Sequence, residues 1–187
     1  LTRIGKKTNR MFPEVLPLLD NENPDIVESV LWGLGEIGPA AKDAIPYIGK
    51  KLKYFSEDNL IRHEAVVALG KIGPLAKDYY LDLLEIAKES LAGVKSGKNP
   101  FFNTSVARSM IQIGPVDETA IQFYEDILRA EPKSFTPMGM EGLRAFKEKA
   151  EITAPYIVGY ALQQRNAEFA DFSLEIIKEI KPEKTTR

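Results

Sequence analysis

The residue best suited by type to catalysis is His63, the only histidine among the 187 residues. A Ser-His-Asp site needs a nucleophile on one side of the imidazole and a carboxylate on the other. Arg62 and Glu64 flank His63, and we interpret all three as part of the polar, solvated face of a helix. The sequence therefore predicts no catalytic residue and a protein that is not an enzyme.

Ligands for metals and phosphates are equally scarce. With one histidine and no cysteine, only carboxylates could hold a metal ion, and none of them forms a calcium-loop pattern. Gly33, Gly35 and Gly38 superficially match a glycine-rich phosphate loop, but they lie within a helical pattern that no strand precedes. We expect no metal, no cofactor and no small-molecule substrate.

The composition is that of a folded protein, with 44% hydrophobic and 28% charged residues. The net charge of -2, from 25 basic and 27 acidic residues, provides no general field that would attract a nucleic acid. No apolar run approaches the roughly 20 residues that a membrane-spanning helix requires. We therefore expect neither a nucleic-acid nor a membrane partner, and the sequence leaves the cellular compartment open.

One six-residue phrase occurs three times, at residues 34–39, 69–74 and 110–115, each time ending in Ile-Gly-Pro. Weaker copies place the same anchor position, the glycine of the phrase, at residues 5, 147 and 181. The spacings between consecutive anchors are 33, 35, 41, 33 and 34 residues, which is the period of helix-pair repeats. The phrase thus predicts an array of helical hairpins.

Apolar residues recur at fixed offsets before each anchor and form one helical stripe, which predicts helix A of each repeat. They stand twelve, seven, four and one residues before it, as in Ile26, Leu31, Leu34 and Ile37. A second stripe seven, ten and fourteen residues after the anchor predicts helix B. The predicted units are one solenoid over 1–187, with a partial repeat 1–22, repeats at about 23–57, 58–98, 99–131 and 132–165, and a terminal helix 166–187.

The predicted helix ends carry residues suited to them. Asn23, Asp58, Asn99 and Asn166 stand fifteen residues before an anchor, where their side chains can accept from free N–H groups of a first turn. The Gly-Pro step ends helix A, because glycine tolerates the left-handed conformation of a helix stop and proline cannot continue the helix. Asp43 is the predicted cap of the first complete helix B.

Residues 34–48 resemble the HEAT-repeat family, in particular the variant of its repeat found in phycobilin lyases, written LGxIGPxAxxAxPxI. The resemblance is strongest over residues 24–129. It implies an all-α fold in which helical hairpins stack into a right-handed α-α superhelix, with the A helices on the convex side and the B helices on the concave side. Such a solenoid presents extended surface for binding.

The candidate binding surface is a strip on helix B, nine and thirteen residues after each anchor, which the core stripe does not use. Aromatic and aliphatic side chains there are suited to anchoring a protein partner, although the same offsets could instead border the core. Charge also differs between repeats, basic on the first helix B and acidic on the next two. The predicted partner-binding residues are Tyr47, Lys51, Asp82, Glu85, Ile86, Phe123, Asp126, Tyr156 and Tyr160.

These features together favour a non-catalytic scaffold whose partner is another protein. Because each terminal repeat is partial, we expect the chain to belong to a longer array or to be covered at its ends within a complex. Two alternatives stay open. One is an enzyme-associated protein of the phycobilin-lyase type, and the other is a nucleic-acid-binding protein like the HEAT-like DNA glycosylases.

Overall fold

A computed structural model describes residues 12–53, 60–95, 101–129, 136–146, 157–159 and 167–180. All regular secondary structure within these ranges is helical, and they contain no strand. The predicted all-α class is therefore confirmed. The α-helices are α1 (Pro24–Ile37), α2 (Ile45–Lys51), α3 (Leu60–Ile72), α4 (Tyr80–Lys95), α5 (Phe101–Ile113), α6 (Thr119–Arg129), α7 (Thr136–Phe146) and α8 (Ala167–Ile180).

Short 3-10 helices connect several of these elements, at Leu16–Asp20, Gly38–Ala44 and Gly73–Tyr79. The predicted cap of α1 is confirmed, because the Asn23 side chain accepts from the backbone N–H of Asp25 at 3.0 Å. The prediction for Asp43 is wrong. It lies inside the second 3-10 helix, and α2 begins after Ala44 without a side-chain cap. The other predicted caps, Asp58, Asn99 and Asn166, lie outside the described residues.

The glycine of the repeated phrase ends a helix by turning left-handed in all three strong copies. Gly38, Gly73 and Gly114 have φ angles of 64°, 77° and 101° and directly follow α1, α3 and α5. In this region the Cβ of an ordinary L-residue crowds the backbone, which is why glycine is favoured there. The predicted mechanism of the helix stop is confirmed.

Replacing Gly73 by alanine is expected to lower the free energy of unfolding by about 1–2 kcal/mol, the cost of the left-handed conformation for an L-residue. Steric overlap adds nothing, since a Cβ at this position would lie 3.7 Å from its nearest contact, the carbonyl oxygen of Gln112. Urea unfolding followed by circular dichroism measures the loss. Gly33→Ala is the control and should not lose stability for this reason, because Gly33 lies inside α1 and is not among the glycines with a positive φ; equal losses would contradict the backbone explanation.

The helices that follow the A pattern pack against one another in chain order. Within the described residues α1 contacts α3, α3 contacts α5, α5 contacts α7, and α7 contacts α8. The B-type helices pack against the next A-type helix along the chain, α2 against α3, α4 against α5, and α6 against α7. Each hairpin is thus covered by its successor.

The predicted A stripe forms the core in the middle of the row. The buried residues at four before the anchor are Leu34, Leu69, Met110 and Leu143, and those at seven before it are Leu31, Val66, Ala107 and Met140. At the two ends the stripe is open, because Ile26 and Ile37 of α1 are each 36% exposed and Leu174 of α8 is 53% exposed. The same sequence position is therefore core or surface according to whether a neighbouring helix covers it.

Candidate functional site

Within the described residues, two grooves lie at different places along this row of helices. The first, the α2–α4 groove, has a volume of about 470 Å³ and lies between the end of α2 and the outer face of α4. The second, the α1 groove, has a volume of about 450 Å³ and lies between the segment of residues 12–18 and α1. The α2–α4 groove contains Asp82, Glu85 and Ile86 of the predicted binding surface, whereas the α1 groove contains none of its residues, so the α2–α4 groove is the candidate site. Its lining residues are Gly49, Lys50, Leu52, Lys53, Arg62, Tyr79, Asp82, Glu85, Ile86 and Glu89.

The shape of the α2–α4 groove depends on Gly49 and Tyr79. The Tyr79 ring lies directly over Gly49, in space that a Cβ on Gly49 would occupy. This contact joins α2 to the residue that precedes α4. The C-terminal end of α2 and the first turns of α4 line the groove. Partial burial raises the pKa of the Tyr79 hydroxyl, and the nearby carboxylates of Asp82 and Asp78 raise it further.

The two walls of the α2–α4 groove carry opposite charges. Lys50 lies in the last turn of α2 and Lys53 lies two residues beyond its end, whereas Asp82, Glu85 and Glu89 come from successive turns of α4. These five side chains belong to exposed residues. The Lys50 ammonium also lies 5.5 Å from the centre of the Tyr47 ring, within the range of a cation–π contact. A ligand in this groove therefore meets a basic wall and an acidic wall at once.

Arg62 belongs to the α2–α4 groove although the sequence interpretation placed it on a solvated face, which is wrong. It is only 8% exposed, and its Nη2 donates to Glu89 Oε2 at 3.1 Å. This ion pair ties α3 to α4 beneath the acidic wall. The pattern of apolar offsets contained no signal for this position, because Arg62 is a charged residue next to the stripe and its burial, to a side-chain exposure of 10%, accompanies its pairing with Glu89 on another helix.

Only some residues of the predicted strip on helix B lie at the surface. Tyr47 is 42% exposed, and Asp82 and Glu85 are exposed as predicted. Ile86 and Phe123 are 4% and 1% exposed, so their prediction as surface anchors is wrong. Both side chains pack into the core beside the neighbouring helices, which is the alternative that the sequence left open.

The remaining predicted residues do not form one site. Lys51 turns away from the groove, where its Nζ lies 2.8 Å from Asp20 Oδ1, and this hydrogen bond and charge lower the pKa of the Asp20 carboxyl. Asp126 is half-buried on α6 and accepts from Gln122 Nε2 at 3.0 Å. Tyr156 and Tyr160 lie outside the described residues.

His63 forms a hydrogen-bonded chain that the sequence interpretation missed. Its Nε2 lies 2.9 Å from Ser105 Oγ, and its Nδ1 lies 3.3 Å from Glu64 Oε1. The order of groups matches that of an acyl-transfer triad. However, Ser105 lies inside α5, where the backbone N–H groups of the following residues are used by the helix and cannot bind an oxyanion. Neither groove contains this chain of residues, so we interpret it as a polar contact that joins α3 to α5.

Within the described residues, no group of three or more histidine, aspartate or glutamate side chains could hold a metal ion. No helix in that part of the chain is long and apolar enough to cross a membrane. A scan of the chain against models of protein families finds no match, and a search of curated proteins finds none either.

Proposed function

We propose that this chain is a HEAT-type helical-repeat scaffold, without catalytic activity of its own, that binds a segment of another protein in the α2–α4 groove. The consecutive packing of α1, α3, α5 and α7 supports the repeat architecture. The right-handed superhelix, with the A helices convex and the B helices concave, is part of the same proposal. In that arrangement the α2–α4 groove opens on the inner face, where a partner makes most contact.

The observation that carries the proposal is the opposition of charge across the α2–α4 groove. A segment that places a lysine or arginine against Asp82 and Glu85, and an aspartate or glutamate against Lys50 and Lys53, would satisfy both walls. A nucleic acid would gain from the basic wall only, since its phosphates would face the acidic residues of α4. Opposed charges therefore favour a protein segment of mixed charge over a polyanion.

Reversing the acidic wall is the direct test. The double variant Asp82→Lys/Glu85→Lys is expected to slow association with a mixed-charge partner by about tenfold or more, because the steering field on that wall changes sign. The probe is a set of fluorescent twelve-residue peptides with one basic and one acidic cluster, and stopped-flow anisotropy at low salt measures the rates. Raising the salt should diminish the difference between the variant and the original chain.

A matched control is available on exposed acids away from the groove. Glu22→Lys/Glu175→Lys changes the net charge equally, and both residues are exposed and remain outside the lining of either groove. It should leave the association rate within about twofold. If the groove variant and this control behave alike, or if none of the peptides binds, the proposed site is wrong.

The two other functions make different predictions with the same protein. A lyase-type protein would change the absorbance spectrum of an added free bilin. A nucleic-acid-binding protein would bind a twenty-base-pair duplex with an affinity that falls steeply as salt rises. We expect neither signal, and the appearance of either one at micromolar protein would replace the proposed function.

A further inference from the structure

Tyr79 joins the two walls of the α2–α4 groove and lines the groove between them. Its ring packs over Gly49 of the basic wall, since a Cβ on Gly49 would lie 2.6 Å from the Tyr79 hydroxyl oxygen. The residue itself directly precedes α4, which carries the acidic wall. Tyr79 is half-buried, so its ring is held against α2 while part of the side chain remains accessible.

The hydroxyl of Tyr79 differs from that of the next residue along the chain. Tyr80 is 1% exposed, and its hydroxyl shares a hydrogen bond with that of Tyr124 in the core. Among the described residues, no group forms a hydrogen bond with the Tyr79 hydroxyl. A tyrosine that is partly withdrawn from water usually has a partner for its polar end. The Tyr79 oxygen is therefore available to a group of another molecule.

The surroundings of the Tyr79 oxygen are acidic. The negative charges of Asp82 and Asp78 act on the Tyr79 hydroxyl and, after burial, are the causes that raise its pKa. Asp82 and Glu85 stand three residues apart on α4, a spacing that places their Cβ atoms about 5–6 Å apart. Neither carboxylate forms an ion pair or hydrogen bond with a described residue. A phenol oxygen and two carboxylates thus offer acceptors to one cation.

The cations that belong to the groove itself do not use these acceptors. Arg62 pairs with Glu89, which lies one turn beyond Glu85 along α4. The Lys50 ammonium lies 5.5 Å from the centre of the Tyr47 ring on α2. The start of the acidic wall is therefore where a basic side chain of a ligand gains most.

Acceptors of two kinds suit a guanidinium better than an ammonium. The guanidinium of arginine carries five N–H donors in a planar fork, whereas the ammonium of lysine is a compact charge with three donors. A guanidinium can donate two parallel hydrogen bonds to one carboxylate and still has donors for a second group. The Tyr79 oxygen lies beside the carboxylates as such a second group.

We propose that Tyr79 selects arginine in the segment that binds the α2–α4 groove, because its hydroxyl oxygen accepts a hydrogen bond from a guanidinium whose charge Asp82 and Glu85 balance. This inference rests on the proposed function and adds to it the identity of the basic residue. The two carboxylates attract either basic residue to the acidic wall. The phenol oxygen then slows the dissociation of arginine more than that of lysine.

The test compares two fluorescent twelve-residue peptides of mixed charge that differ at one position, arginine in one and lysine in the other. Equilibrium anisotropy at low salt measures both affinities. The original chain should bind the arginine peptide about three- to tenfold more tightly, the worth of one further hydrogen bond. In Tyr79→Phe this ratio should fall to within about twofold. The phenyl ring still covers Gly49, so the variant should unfold at the same urea concentration as the original chain.

Tyr47→Phe is the matched control, because it removes the same oxygen from an exposed tyrosine of α2 that does not line the groove. It should keep the full preference for arginine. Equal affinities of the original chain for the two peptides, or the same loss of preference in both variants, would overturn the role of Tyr79. So would an undiminished preference in Tyr79→Phe. These results leave the proposed function standing, whereas failure of both peptides to bind would overturn that function and this inference together.

Discussion

Replacing Gly142 by alanine is expected to lower the free energy of unfolding by about 2 kcal/mol, because the added methyl group overpacks the core. Gly142 lies in α7 against the Tyr124 ring of α6, in space that a Cβ would occupy. The Tyr124 ring is buried among other aromatic rings. It is 1% exposed, and its centre lies 5.2 Å from that of Phe123 and 6.3 Å from that of Phe146.

Urea unfolding followed by circular dichroism measures this effect, and the thermal midpoint should fall by about 4–8 °C for a domain of this size. Gly33→Ala is the matched control, because Gly33 also stands five residues before an anchor and inside a helix. With no atom of the described residues within 4 Å of its added Cβ, it should gain up to about 1 kcal/mol from helix propensity. If both substitutions have the same sign, the packing explanation for Gly142 is wrong.

Alkaline pH is expected to destabilise the protein through two buried tyrosines that share a hydrogen bond, Tyr80 of α4 and Tyr124 of α6. Burial is the main cause that raises the pKa of Tyr80 to about 12, and burial likewise raises the pKa of Tyr124 well above its usual range. The folded state therefore keeps both phenols neutral at a pH where the unfolded chain ionises them at about 10. Their contribution to stability is complete below pH 10 and declines above it.

For each tyrosine the free energy of unfolding should fall by about 1.4 kcal/mol per pH unit, which amounts to about 3 kcal/mol for Tyr80 between pH 10 and pH 12. Urea unfolding at intervals between pH 8 and pH 12 measures the slope, and tyrosinate absorbance near 295 nm should rise together with unfolding. Tyr80→Phe should have a shallower slope than the original chain. A slope unchanged by this substitution would show that other groups cause the alkaline loss.

The helix ends and the centre of the buried helix face were predictable because they depend on local chemistry. The three Ile-Gly-Pro phrases correctly predicted left-handed helix stops at Gly38, Gly73 and Gly114, since few residues other than glycine adopt that conformation cheaply. The apolar offsets correctly predicted buried residues such as Leu34 and Leu69, because helical periodicity decides which side chains share a face. Neither prediction required knowledge of how the helices pack against one another.

The candidate site was less predictable because burial at the edge of a stripe depends on a neighbour. Periodicity defines the centre of an apolar face but not its width, and the width is set when a second helix packs against it. Ile86 and Phe123 stand at that edge and are buried, whereas Tyr47, at the same offset as Phe123, is exposed. Arg62 joined the α2–α4 groove for the same reason, through a carboxylate 27 residues away on α4.

Gly33 and Gly142 show most directly what the sequence determined and what only the tertiary structure decided. By its own pattern, the sequence determined that both are small residues on helix A, five positions before an anchor, and that the fold is all-α. Only the tertiary structure decided that a Cβ on one would meet no atom of the described residues within 4 Å, while the other lies under an aromatic ring. The physical reason is that a repeat specifies each helix and its faces locally, while the neighbour that covers a face is supplied by a different part of the molecule.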